Sequence, residues 1–124
     1  MEKEMEKEKN IKYYDENCIK FEGEYLNGKK FKGKEFDIKQ NLIFEGEYLK
    51  GKQWKGKGYN RNGKITYEIN NENNNIKEYY YNGQLIYEGK YLNGERNGKG
   101  KEYYYNGNLK FEGEYLNGRI SCKW

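Results

Sequence analysis

The sequence predicts an all-β fold: an elongated, single-layer antiparallel β-meander of repeated hairpins. Three observations predict it. The block Phe111-Glu112-Gly113-Glu114-Tyr115-Leu116-Asn117-Gly118 recurs almost letter for letter at residues 21–28, 44–51 and 87–94, and a degraded copy starts at Tyr67. The leading aromatics stand 23, 23, 20 and 24 residues apart, and a period in the twenties marks a repeat array. Each repeat carries two turn signals between short runs rich in Tyr, Phe, Leu and Ile, with no Pro anywhere. Consecutive hairpins with no crossover segment give antiparallel neighbours.

Composition sets the kind of core. Hydrophobic residues make up 34% and charged residues 35% of the 124, a balance that alone points toward disorder. The 18% aromatic content points the other way, because disordered chains are poor in aromatics. Of these, 15 are Tyr against 5 Phe and 2 Trp. Tyr has an apolar body and a polar tip, so the expected core is thin and half wet. The net charge of +4 arises from 24 basic and 20 acidic residues that are interspersed. That reads as a solvated mixed surface without the one-signed patch that steers a protein to nucleic acid. No apolar run approaches the roughly 18 residues of a membrane span, and no secretory apolar region follows Met1. Cys18 and Cys122 lie at opposite ends of the array, which argues against an internal disulfide and suits a reducing, cytoplasmic location.

Residues 1–10, MEKEMEKEKN, contain good helix formers. However, Glu2/Glu6, Lys3/Lys7 and Glu4/Glu8 set like charges four apart, and no apolar face is present. They read as a short, charged, flexible tail ahead of a repeat array over residues 11–124. The array opens on a half-unit: Tyr13-Tyr14-Asp15-Glu16-Asn17-Cys18-Ile19-Lys20-Phe21 aligns without a gap on residues 103–111. Asn17 then takes the place of Gly107, and Asn tolerates positive φ better than other non-Gly residues. Gln40 fills the same place in the next unit and is a poorer choice, so a looser turn is expected there. Residues 70–75 are nearly all Asn, which predicts a tight or irregular loop.

The pairs Asn62-Gly63, Asn82-Gly83 and Asn106-Gly107 are hairpin signals. The second signal, Asn27-Gly28, Lys50-Gly51, Asn93-Gly94 or Asn117-Gly118, precedes a basic or Gly-rich stretch that reads as a loop. Two signals in each unit give about ten strands. The aromatics choose the register. A plain two-residue loop at Asn106-Gly107 would set Tyr104 opposite Leu109 and scatter the apolar residues over both faces. A three-residue loop ending in a left-handed Gly with a G1 bulge sets Tyr103 opposite Leu109 instead. It gathers Tyr103, Tyr105, Leu109, Phe111 and Tyr115 on one face and Asn108, Lys110, Glu112 and Glu114 on the other. A one-residue slip swaps faces, so the segregating register is expected. The same rule collects Tyr79, Leu85, Tyr87 and Tyr91; Tyr59, Ile65 and Tyr67; and Phe36, Leu42, Phe44 and Tyr48.

Gly23, Gly46, Gly89 and Gly113 fall mid-strand on that face. Gly weakens a strand unless something needs the space, so rings from the neighbouring strand are expected to lie over the bare backbone. After residue 118 the sequence departs from every earlier copy, reading Arg119-Ile120-Ser121-Cys122-Lys123-Trp124. The strand around residues 108–116 is therefore expected to be an open C-terminal edge, which either continues in a longer array or pairs with a second copy of the protein.

The pattern Tyr/Phe-Glu-Gly-Glu-Tyr-Leu-Asn-Gly-Lys followed by Gly-Lys-Gly resembles the MORN (membrane occupation and recognition nexus) repeat. Residues 44–58 and 87–100 match it best, the Asn-rich forms look like MORN-variant repeats, and the resemblance spans residues 12–118. It implies an elongated single-layer antiparallel sheet. It also implies functions drawn from membrane or phosphoinositide association, homodimeric cytoskeletal scaffolds, and targeting modules fused to enzymes. Family repeats often carry a His before the second glycine motif. Here that region reads Phe31-Lys32-Gly33, Trp54-Lys55-Gly56 and Arg96-Asn97-Gly98, and the chain has no His.

No catalytic constellation emerges from the residues. The commonest general base is absent with His, and Cys18 and Cys122 lack a CxxC or Cys/His setting. The Glu112/Glu114 pair lies two apart on a strand among lysines, as on a solvated face. Residues 94–100 look superficially like a phosphate loop but precede no helix. No enzyme activity, cofactor or metal is expected.

The aromatic stripe is the remaining candidate: Phe21, Tyr25, Phe44, Tyr48, Tyr59, Tyr67, Tyr79, Tyr87, Tyr91, Tyr103, Phe111 and Tyr115. A single layer has no opposing layer to cover it, and an exposed apolar patch marks an interaction site. The plainer reading is that the stripe is the core side of the sheet. Lys29, Lys30, Lys32, Lys52, Lys55 and Lys57 are candidate contacts for anionic lipid headgroups, with solubility as the plainer role. The expected function is a non-enzymatic, MORN-like module that scaffolds protein interactions. A peripheral membrane module binding anionic phospholipids is the alternative, and single-stranded nucleic acid is the least favoured partner. The expected partner is a protein, or a second copy met through the aromatic face or the C-terminal edge strand. The expected location is cytoplasmic, with membrane or cytoskeletal association.

Overall fold

A computed structural model describes residues 7–123, the side chains of Cys122 and Lys123 excepted. The chain is all-β: eleven antiparallel strands follow one another in sequence order, with no helix among the described residues. It divides into two compact units, Met1–Gly63 and Lys64–Trp124. The first holds β1 (Lys7–Asp15), β2 (Cys18–Leu26), β3 (Lys29–Phe36), β4 (Leu42–Leu49) and β5 (Lys52–Tyr59). The second holds β6 (Ile65–Asn70), β7 (Asn75–Tyr79), β8 (Leu85–Leu92), β9 (Glu95–Tyr103), β10 (Leu109–Leu116) and β11 (Arg119–Lys123). Within each unit the strands form an open, single-layer antiparallel meander.

Both ends correct the sequence reading. Strand β1 begins at Lys7, so residues 7–10 of the expected tail are paired backbone, with Lys9 opposite Glu24 and Asn10 opposite Gly23. Residues 1–6 lie outside the described residues. Strand β10 is not an open edge, because β11 folds back on it with Leu116 opposite Arg119 and Gly113 opposite Lys123. The reason is local. Asn117 and Gly118 both take positive φ, 51° and 83°, and this type I′ turn returns whatever chain follows it. The same two-residue turn occurs at Asn27-Gly28, Lys50-Gly51 and Asn93-Gly94. The stretches after these turns, expected as basic or Gly-rich loops, are therefore strands β3, β5 and β9.

The turns at the opposite ends of the strands obey the G1-bulge expectation. Gly83 donates its amide to the Tyr80 carbonyl at 2.9 Å, and Tyr80 donates to the Gln84 carbonyl at 2.8 Å. Gly107 and Tyr104 repeat this with Tyr104 and Asn108. Tyr103 duly opposes Leu109. Asn17 departs from the alignment. It is not among the residues of positive φ, because Asp15 pairs with Cys18 across a two-residue turn whose amides, Asn17 and Cys18, donate to the Asp15 carboxylate. Gln40 does take the left-handed conformation, at φ 68°. Its turn is not loose: its side-chain amide donates to the Ile19 carbonyl and accepts from the Ile19 amide, each at 2.9 Å. Residues 71–74 form a short turn between Asn70 and Asn75, with Asn74 left-handed.

A second bulge, absent from the sequence reading, decides the faces. Leu109 opposes Tyr103, but Phe111 opposes Glu102, so two residues of β10 advance against one of β9. The same step separates Leu42 from Phe44 and Leu85 from Tyr87. Phe111 thereby joins the face of Glu102, and Tyr103 falls on the other. Antiparallel partners point to one side, so the register reads as rows across each sheet. In the first unit one row runs Lys12, Phe21, Glu35, Phe44, Gly58, and the row beside it Asn10, Gly23, Gly33, Gly46, Gly56. In the second unit the corresponding rows are Tyr67, Glu78, Tyr87, Glu102, Phe111 and Ile69, Ile76, Gly89, Gly100, Gly113.

These rows explain how one layer buries a core. The aromatic ring lies down over the glycine row, so that a Cβ on Gly33 would sit 2.6 Å from the Phe21 ring and one on Gly100 would sit 2.5 Å from that of Tyr87. The covering ring comes from two residues earlier on the same strand as Gly23 or Gly89, not from the neighbouring strand as expected. A second Tyr packs edge-on against it, with Phe21–Tyr48, Phe44–Tyr48, Tyr87–Tyr115 and Phe111–Tyr115 centroids 5.4–5.6 Å apart. Phe21, Phe44 and Tyr87 are fully buried without any second layer.

Candidate interaction surface

The ring face holds nine of the twelve aromatic candidates: Phe21, Tyr25, Phe44 and Tyr48 in the first unit, and Tyr67, Tyr87, Tyr91, Phe111 and Tyr115 in the second. Six of these, Phe21, Phe44, Tyr48, Tyr87, Phe111 and Tyr115, are buried and present little surface to a partner. Tyr59, Tyr79 and Tyr103 leave the group. The second bulge turns Tyr79 and Tyr103 to the opposite face, and Tyr59 points there because its neighbour Gly58 stands opposite Phe44; their hydroxyls donate to Glu45 (2.7 Å), Glu68 (3.2 Å) and Glu88 (2.9 Å).

Cations roof the rings. Lys30 lies over Phe21 and Tyr48, 4.9 and 5.8 Å from their centroids. Arg96 takes the equivalent place in the second unit, 4.2 Å over Tyr87 and 5.7 Å over Tyr115. Its guanidinium also donates to Glu102 at 2.9 Å and to Glu78 at 3.3 Å, and Tyr115 donates its hydroxyl to Glu102. Burial pushes the Tyr87 hydroxyl up to about 12, against the nearby Arg96 charge, which lowers it. Burial first, then the bond to Glu102, raises the Tyr115 hydroxyl as well. This cluster is a satisfied structural network.

The opposite face is a lattice of alternating charge. In the first unit Glu22, Lys34, Glu45 and Lys57 face one another in turn across β2 to β5, and Glu24, Lys32, Glu47 and Lys55 do the same beside them. In the second, Glu68, Lys77, Glu88, Lys101 and Glu112 alternate across β6 to β10. Of the lysines expected to meet lipid, Lys32, Lys55 and Lys57 stand opposite carboxylates, Lys30 roofs the ring face, and Lys29 and Lys52 flank the type I′ turns opposite Leu26 and Leu49. They do not assemble into one basic loop surface.

The tyrosines beside the G1 turns lie outside the twelve aromatic candidates, and Tyr105, expected on the strand face of Phe111, stands in the turn after β9. Tyr81 is 70% exposed, Tyr104 51% and Tyr105 47%. Tyr105 packs on Tyr80 at 5.4 Å and on Tyr81 at 5.8 Å. The signal was present in Tyr-Tyr-Tyr-Asn-Gly, written twice 24 residues apart, because only the first Tyr of each triplet belongs to a strand. No group of three or more His, Cys, Asp or Glu that could hold a metal occurs among the described residues, and no helix among them is long and apolar enough to cross a membrane. No protein-family model matches the chain, and no curated protein matches it.

Proposed function

We propose that this chain is a non-enzymatic, MORN-like repeat module that scaffolds protein interactions. One observation carries the reading: Tyr80, Tyr81 and Tyr105 pack ring against ring at the turn edge of the second unit, and the exposed Tyr104 precedes Tyr105 in the same turn. Tyr is among the residues that interfaces favour and that dominate their energetics. Tyr81, Tyr104 and Tyr105 take no part in the buried core, so their cost in exposed apolar surface finds its return in a partner. The alternation of Lys with Glu gives the anionic-membrane reading less support, since each exposed lysine row carries its own counter-charge.

The test compares the wild-type chain with Tyr81→Ser/Tyr104→Ser, a double variant outside the core, as immobilised baits of equal circular dichroism. Partner proteins retained by the first and lost by the second support the reading. Equal retention by both defeats the patch as the interaction site. Salt-sensitive pelleting with vesicles of anionic but not zwitterionic lipid, without protein capture, would replace it with the membrane alternative.

A further inference from the structure

Two strand spacings, about 10 Å, separate the G1 turn of β7–β8 from that of β9–β10, and tyrosines leaning from each turn close the gap. The Tyr105 hydroxyl donates to the Tyr81 hydroxyl at 3.0 Å, with the rings 5.8 Å apart and tilted by 45°. Tyr80 meets Tyr105 edge-on but turns its own hydroxyl to the Tyr103 carbonyl at 3.3 Å. We propose that Tyr81 and Tyr105 are an oxidative modification site, at which hydrogen peroxide acting through a one-electron oxidant joins the two rings as dityrosine and staples adjacent hairpins.

The chemistry follows from the phenol. Each ring gives up one electron and its hydroxyl proton. The resulting phenoxyl radical shares its unpaired electron among the oxygen, the two Cε carbons beside it and the opposite Cγ. Cγ already carries Cβ, so carbon–carbon coupling falls to Cε. Cε adjoins the carbon that bears the hydroxyl, and the hydroxyl–hydroxyl bond therefore brings the two Cε edges together. A Cε–Cε bond forms, and the hydrogen on each coupled carbon shifts to its oxygen, restoring both phenols. Peroxide accepts the two electrons and two protons and leaves as two waters.

Location selects this pair. Both rings are open to an oxidant, Tyr81 more than Tyr105. Tyr87 and Tyr115 are also in ring contact, at 5.4 Å, but are buried, and their hydroxyls are committed to the Lys90 carbonyl and Glu102. Tyr14 is exposed, but its hydroxyl donates to the Phe36 carbonyl at 2.9 Å. The site is independent of whether the patch also binds a partner.

The full chain is treated with hydrogen peroxide and a haem peroxidase at dilution, then read by dityrosine fluorescence, denaturing gel and peptide mass mapping. The expected product is monomeric, lighter by two hydrogens, with one linked peptide pair joining Tyr81 to Tyr105. Tyr81→Phe and Tyr105→Phe each remove the link while keeping the ring and the fold, and Tyr104→Phe, at an exposed tyrosine of the same turn, retains it. No intrachain dityrosine in the wild type, a link mapped to other residues, or an undiminished yield in either Phe variant of the pair would overturn the proposal.

Discussion

Tyr115 donates its hydroxyl to the Glu102 carboxylate on the neighbouring strand, and Arg96 donates to the same carboxylate at 2.9 Å. Removing Glu102 leaves a half-buried guanidinium and a buried phenol short of an acceptor. Glu102→Ala is expected to cost about 2 kcal/mol, in the range for orphaned buried donors. Urea unfolding measures it. Glu112→Ala, which loses only an exposed 3.3 Å pair with Lys101, should cost well under 1 kcal/mol. Equal losses would show the network to be of no special weight.

The same cluster sets an alkaline limit. Tyr87, whose ordinary value is 10.0, is pushed up to about 12 in the fold, and Tyr115 is raised too. Below about pH 10 both states hold the phenol proton and stability is full. Above it the unfolded chain ionises first, so stability falls as pH rises through the folded value near 12. Denaturant titrations across this window should show a falling midpoint and tyrosinate absorbance that lags the free amino acid. A midpoint flat to pH 12 would contradict the raised Tyr87 value.

Glycines differ by what lies over them. A Cβ on Gly23 would stand 2.2 Å from the Lys32 carbonyl oxygen and 2.6 Å from the Gly33 Cα, both backbone that no rotamer change relieves. Gly23→Ala is expected to cost at least about 3 kcal/mol. Gly28→Ala meets nothing within 4 Å but keeps a φ of +80°, at about 1–2 kcal/mol. Thermal unfolding of the two variants should rank them in that order.

Lys50 occupies the left-handed place, φ 53°, that Asn holds at positions 27, 93 and 117. Asn bears this conformation more readily. Lys50→Asn is expected to raise stability by about 0.5 kcal/mol, visible as a higher urea midpoint at unchanged slope. A lower midpoint would mean that the Lys50 side chain contributes elsewhere.

Gln40 makes the opposite case. Gly would relieve its φ of 68° by about 1 kcal/mol, but would forfeit both bonds to Ile19, each about 1 kcal/mol. Gln40→Gly is therefore expected to be destabilising by about 1 kcal/mol, and hydrogen exchange at the Ile19 amide should quicken. Stabilisation would show that the side-chain bonds are weak in solution.

By itself the sequence determined the hairpin unit, its repeat and the G1 turns at Asn82-Gly83 and Asn106-Gly107. Period, Asn-Gly pairs and alternation are local properties, and the Tyr103–Leu109 register follows from them. It also marked the mid-strand glycines as places kept bare for a ring. Only the tertiary structure decided the rest. The bulge between Leu109 and Phe111 has no turn residue to announce it, because its cause lies across the sheet, where Phe111 gains Glu102 as neighbour and Gly113 gains Gly100. That one step sends Tyr79 and Tyr103 to the charged face, lines Glu against Lys from strand to strand, and sets Phe44, Tyr87 and Phe111 in the buried row. Whether a ring is core or surface depends on what the next strand sets opposite it, and that partner lies beyond a turn, outside the local pattern of the strand that carries the ring.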